Sequence, residues 1–279
     1  PPLLPCPQAH RAPHASAVEP GSAAGRTLLQ APPVRCDHVD FSYDAKRQSL
    51  FDIDFEIPAG QTIAVVGPSG SGKSTLARLM FRFYDVTGGR VTINGVDVRD
   101  LKLHSLRRAI GVVAQDPFLF SASVRDNIAF GGGGLYHDEV EAAARAAQAH
   151  EFIERLPKGY DTVIGERGIT LSGGQRQRIA VARALAIDPR ILLHDAATAA
   201  VDAASEAHIR TGLRSAMRDR TTLIIAHRLS TIALADEIVV LDDGRIAARG
   251  THDELARPSE IYREIDEHGL GMPLLDHRL

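Results

Sequence analysis

The tightest constraint on this 279-residue chain is an eight-residue run: Gly67, Pro68, Ser69, Gly70, Ser71, Gly72, Lys73 and Ser74. An apolar segment, Thr62–Val66, precedes it and reads as a buried strand; a helical segment, Lys73–Phe83, follows. The run fits G-x-x-x-x-G-K-[ST], the phosphate-binding P-loop, in the strand-then-helix context that motif requires. Glycines let successive backbone amides curl inward without Cβ clashes, and the following helix turns its positive end toward an anion. Lys73 would supply a point charge to the β- and γ-phosphates, Ser74 a hydroxyl for Mg²⁺, and Thr75 extends the nucleotide contact.

A glycine turn that merely opens a helix accounts for the glycines but not for lysine and serine at their end. A second segment sharpens the reading. Ile191, Leu192, Leu193, His194 and Asp195 form an apolar strand ending in a carboxylate, where an acid holds magnesium in proteins with such a loop. His194 is a polar ring at a position expected to be buried, and a histidine satisfied by a hydrogen bond is the simpler reading than a ligand.

The rest of the chain supplies the frame. Residues 1–32 are rich in proline and alanine and read as a disordered linker, the folded domain as 33–268, and 269–279 as a flexible tail. Val39, Phe41 and Tyr43, then Phe51, Ile53, Phe55 and Ile57, alternate with polar residues as antiparallel strands do. Asn94 and Gly95 between Val91–Ile93 and Val96–Val98 signal a hairpin. Further apolar strands at Ile110–Val113, Leu223–Ala226 and Ile238–Leu241 interleave with helices at His137–Ala149, Gln175–Ala186 and Ala203–Ala216. That is an α/β core with an antiparallel subsheet.

A net charge of -3 argues against a nucleic-acid partner. Cys6 and Cys36 lack any zinc or disulfide spacing, which fits a reducing compartment. No run approaches the roughly 20 apolar residues of a spanning helix. Pro1 opens the chain without a signal-peptide pattern, so it reads as a piece of something longer.

Leu171, Ser172, Gly173, Gly174 and Gln175, at the head of a helical run, resemble the signature motif of ABC ATPases. Their spacing from the P-loop and Asp195 fits, and the resemblance covers about residues 34–265. It implies a P-loop NTPase (RecA-like) core with an antiparallel β-subdomain and an α-helical signature subdomain at about 116–186. It further implies an ATPase that binds ATP and Mg²⁺, the metal held by Ser74, Gln115 and Asp195. By the same resemblance Tyr43 stacks on adenine, and Gln115 reaches the metal or water and links the site to a membrane domain. Asp202 is the D-loop aspartate and His227 the switch histidine that reaches the γ-phosphate.

Gly165–Gly168, the run from Gln115 to Ile128, and Phe83, Tyr84 and Asp85 look like the exporter branch (multidrug, lipid and metal-peptide). Such domains pair head to tail with a second nucleotide-binding domain, the signature of one closing over the ATP of the other. They work beneath a transmembrane domain on the cytoplasmic face of the plasma (inner) membrane.

One position departs. The family usually places a glutamate after the strand-end aspartate, to polarise the attacking water; here Ala196 follows Asp195. Loss of a positioned base removes about 10²–10⁴-fold in rate. The chain is then either the degenerate half of an asymmetric exporter or a form substituted to trap the ATP-bound dimer. Drift at His194, Ala199 and Val201 favours the first. A soluble ABC ATPase outside transport and a nucleotide-gated module without hydrolysis are the competing readings.

Overall fold

The computed structural model describes residues 31–44, 47–132, 134–165, 171–196, 203–226 and 229–256, with Ser259 and Tyr262; for 196 and 203–205 it describes the backbone. Most of the linker, the run 166–168, Asp202, His227 and the C-terminal tail lie outside the described residues.

Strand alternation sorts the apolar residues into two cores. In β3 (Thr62–Val66) every residue is buried: Ile63 and Val65 enter one cluster, Ala64 and Val66 the other. The same split separates Leu192 from Ile191 and Leu193, and Ile224 from Leu223 and Ile225. A strand buried on both faces belongs inside a sheet covered on both sides. That sheet runs β10-β9-β3-β8-β7-β6, with β6 at Ile110–Val113, β7 at Ile191–Ala196, β8 at Thr221–Ala226, β9 at Glu237–Asp242 and β10 at Arg245–Gly250. All its neighbours pair parallel except the β9–β10 edge. β3 is parallel to both β8 and β9, so its C-terminal end opens where ligands bind in such sheets.

One face is covered by a second sheet, order β2-β1-β4-β5, all antiparallel: β1 is Val34–Asp44, β2 Arg47–Ile57, β4 Gly88–Ile93 and β5 Val96–Asp97. The Asn94–Gly95 hairpin forms as its dipeptide predicts, pairing Ile93 with Val96, and Asn94 takes the left-handed conformation (φ 52°). α1 (Lys73–Met80) shares this core. α2 (Leu103–Arg108) adds Leu106 to it.

The opposite core is helical: α3 is Val124–Ala129, α4 His137–Ala146, α5 His150–Glu154, α6 Gly173–Ala186 and α7 Ala203–Met217, followed by the short α8 (Leu229–Ile232) and α9 (His252–Leu255). α6 packs on α3, α4 and α7. Two helices are shorter than their sequence suggests. α1 stops three residues early, where Arg82 adopts φ 51°, and α4 stops at Ala146, ahead of Gln148 at φ 57°.

A buried polar network binds α6 to the segment after β6. Asn127 is fully buried; its amide accepts from Phe120 N (2.8 Å) and donates to Phe120 O and Ser123 O (3.0 Å each). Arg183 of α6 donates to Asn127 O (2.7 Å), Asn127 Oδ1 (2.9 Å) and Phe118 O (2.7 Å). Truncating this guanidinium removes three bonds from a charged donor, each worth about 1.5–3 kcal/mol, although Asn127 Oδ1 keeps Phe120 N and the bond to Phe118 O is exposed. We predict that Arg183→Met destabilises the chain by about 2–4 kcal/mol in urea unfolding, and that Arg183→Lys recovers little of it because an ammonium lacks the planar fork.

Candidate phosphate and nucleotide site

The turn after β3 is glycine-rich because neighbouring backbone crowds it. Gly67 has φ 150°, and a Cβ there would run into the carbonyl oxygen of Leu241 on β9. Gly72 has φ 105°, and its Cβ would meet Leu50 Cδ2 of β2 at 2.5 Å and the Ser49 carbonyl at 3.2 Å. Ser71 N closes the turn onto Pro68 O (3.2 Å), and Gly244 N bonds Ser71 O (3.2 Å). Gly72 caps α1 without a side chain, and α1 carries no acidic residue in its first turn. The positive end of the helix is therefore not neutralised by its own residues.

Lys73 is buried, and its Nζ donates to Gly67 O (2.8 Å), Pro68 O (2.7 Å) and Ser71 Oγ (3.5 Å). Burial pulls its pKa below the usual lysine value, and the charge of Asp195 opposes that pull. Asp195, near the end of β7, is the counterpart: burial raises its carboxyl, against the charges of Lys73 and Arg78. Its Oδ1 is buried with no hydrogen-bond partner among the described residues. A hard divalent cation takes carboxylate and hydroxyl oxygens. An orphaned carboxylate oxygen coupled to a buried ammonium is a donor set that suits such an ion beside a polyphosphate. Ser74, the other expected oxygen donor, is exposed on the first turn of α1.

Tyr43, near the end of β1, reaches this region through its hydroxyl. Tyr43 Oη and Thr75 Oγ1 are hydrogen-bonded at 3.0 Å, and Arg78 Nη1 donates to Tyr43 Oη at 3.1 Å. The sequence reading had not singled out Arg78. Its spacing was the available signal, since residues three apart on a helix share a face and so place Arg78 beside Thr75.

Gln115 is exposed on the segment leaving β6, and Gln177 Nε2 of α6 donates to the neighbouring Ala114 O at 3.5 Å. At the signature run Leu171 is buried, and Ser172 forms a capping box with Gln175: Ser172 Oγ accepts from Gln175 N (3.2 Å) and Gln175 Oε1 from Ser172 N (2.9 Å). Gly173 and Gly174 open α6. These bonds are local to α6, whereas at the loop Tyr43 is hydrogen-bonded to Thr75, and Lys73 and Asp195 interact through their charges. Ala196 pairs in register with Ala226, so the ends of β7 and β8 adjoin; His227, the next residue in the sequence, lies outside the described residues.

His194 corrects its expectation in part. It is buried, and its ring bonds the backbone of Val113, but Nδ1 has no partner among the described residues. Burial drives its pKa down to about 4 from 6.5. The unfolded chain therefore binds a proton that the folded chain refuses between those values, and stability falls as pH drops through that window. In metal-free buffer we predict that lowering the pH from 7 to 4 costs the chain up to about 3 kcal/mol through this residue. His194→Leu should remove that part of the acid sensitivity, as read from urea midpoints at both pH values.

Residues 50–199 match the sequence model of the family described as ABC transporter. An ATM1-type heavy metal exporter of Novosphingobium aromaticivorans is 50% identical over 238 residues, which cover 85% of this chain and 39% of that protein. An ATP-dependent lipid A-core flippase of Albidiferax ferrireducens is 52% identical over 243 residues, covering 86% and 42%. Among solved structures, a bacterial Atm1-family ABC exporter with ATP bound superposes with a TM-score of 0.80 at 49% identity, over 86% of this chain and 42% of that one. The chain thus spans about two fifths of the length of these relatives.

Proposed function

The chain belongs to the ABC transporter family, and from that premise we propose that it is the ATP-binding domain of an exporter, driving efflux through a transmembrane domain. The observation that carries the proposal is the loop geometry: a buried Lys73 ammonium against glycine-loop carbonyls, coupled to an Asp195 carboxylate with one unmet oxygen.

In this reading the amides of Gly67–Ser74 and the start of α1 bind the β- and γ-phosphates. Lys73 leaves the carbonyls of Gly67 and Pro68 to meet the phosphate oxygens, a stronger acceptor for a charged donor. Tyr43 lays its ring on the adenine. Ser74, Asp195 and Gln115 would hold a magnesium ion, whose charge would neutralise part of the triphosphate's. Leu171–Gln175 closes over the ATP of a second nucleotide-binding domain in a head-to-tail pair. Asp202 and His227 act at that closure, His227 toward the γ-phosphate. The domain lies at the cytoplasmic face of the membrane.

Ala196 gives this site its particular character. Without a carboxylate at that position the attacking water lacks its base, so the site binds ATP and turns over slowly. The same residue supports a second reading, a nucleotide-gated half whose signature serves a competent partner.

Two outcomes are expected. Ala196→Glu raises steady-state ATPase turnover by about 10²–10⁴-fold; equal rates in the two forms would refute the role given to position 196. Lys73→Ala abolishes binding in a titration with labelled ATP, and an unchanged isotherm would remove the P-loop assignment.

A further inference from the structure

The segment Phe83, Tyr84 and Asp85, just beyond α1, has no part in the phosphate site, yet each side chain is docked. Asp85 accepts from Arg82 Nε at 2.8 Å. The Arg82 guanidinium also reaches the carbonyls of Val98 (3.5 Å) and Leu101 (3.4 Å), and its backbone is left-handed. Phe83 packs on Phe81 at 5.6 Å and lies under the Arg107 guanidinium at 5.3 Å. With its neighbours fastened on either side, Tyr84 is turned toward β1. Its ring stands perpendicular to Tyr43 (5.1 Å, 88°) and tilted against Phe41 (5.7 Å, 54°), while Phe41 meets Tyr43 edge-on (4.8 Å, 85°).

Tyr43 is thus held at both ends. Thr75 and Arg78 fix its hydroxyl, and two rings fix its plane. Phe41 is buried and belongs to the core, but Tyr84 is 46% exposed, as Tyr43 is at 44%. A half-exposed tyrosine at a strand end would ordinarily exchange rotamers. A flat platform for a nucleobase must keep one orientation, because the entropy of fixing a ring at the moment of binding is subtracted from affinity.

We propose that Tyr84 is a positioning residue for the nucleobase: it pre-orients the Tyr43 ring and so sets affinity for the base without touching the phosphates. The inference rests on the nucleotide-binding function proposed above. It gives Phe83, Tyr84 and Asp85 a single physical task, in which the outer two pin the turn and the middle one supports the platform.

The test is calorimetric titration of the 279-residue chain with Mg-ATP and, separately, with magnesium tripolyphosphate, which has no base. Tyr84→Ala should weaken ATP about fivefold, the factor carried by one edge-to-face ring pair, and leave tripolyphosphate unchanged. Tyr84→Phe keeps the ring and should bind ATP within about twofold of the parent, since the ring pair supplies the contact. Equal ATP affinity in Tyr84→Ala overturns the proposal. So does a parallel loss of both ligands, which would mark Tyr84 as a packing residue of the whole domain, and so does a Tyr84→Phe form as weak as Tyr84→Ala. If the parent binds tripolyphosphate and ATP equally, the platform role of Tyr43 fails with it. If the parent binds neither, the failure lies with the nucleotide site itself.

Discussion

Burial of β3 on both faces is the constraint from which the rest descends. A five-residue strand with nothing but Thr, Ile, Ala and Val must sit between two cores, and it does, flanked in parallel by β8 and β9. That position starts the following loop against the Leu241 carbonyl at Gly67 and ends it against Leu50 of the antiparallel sheet at Gly72. Only glycine fits such a crowded turn, and only a turn of that shape delivers α1 with its first amides facing outward. The chemistry at Lys73 is therefore inherited from packing several residues away.

The electrostatics follow the same logic. Burial disfavours the charge on Lys73 and the charge on Asp195, and each is sustained partly by the other. A site built this way is under-neutralised by design of its surroundings: the ammonium satisfies itself on its own loop's carbonyls, and the carboxylate keeps an unmet oxygen. Ligands that bring both an anion and a cation relieve the two deficits together.

Much of this was legible in the sequence, for reasons that differ by element. β3 and β9 are apolar runs buried on both faces, which announce themselves, and β6 reads as a strand by the same apolar run although Val112 on this edge strand is exposed. β10, Arg245–Gly250, was missed because arginines and alanines at an antiparallel edge carry no apolar signal. α1 and α4 were drawn too long because Arg82 and Gln148 take left-handed backbones without a glycine to mark them. At the site, the loop residues and the strand-end carboxylate could be read from spacing alone. The fastening of Tyr43 by Thr75, Arg78 and Tyr84 as a set could not, since it joins residues from about thirty to forty positions apart that meet only because β1 and α1 share one core.

The Arg183 network has a mechanical consequence. Its three short hydrogen bonds tie the peptide units of Phe118 and Asn127 to a helix whose other end carries Ser172. A 14-residue helix is about 21 Å of stiff rod. Tugging the stretch that follows Gln115 cannot be absorbed locally by slack side chains, because the guanidinium fork leaves none. The displacement has to appear at the far tip, as rotation or translation of the whole rod.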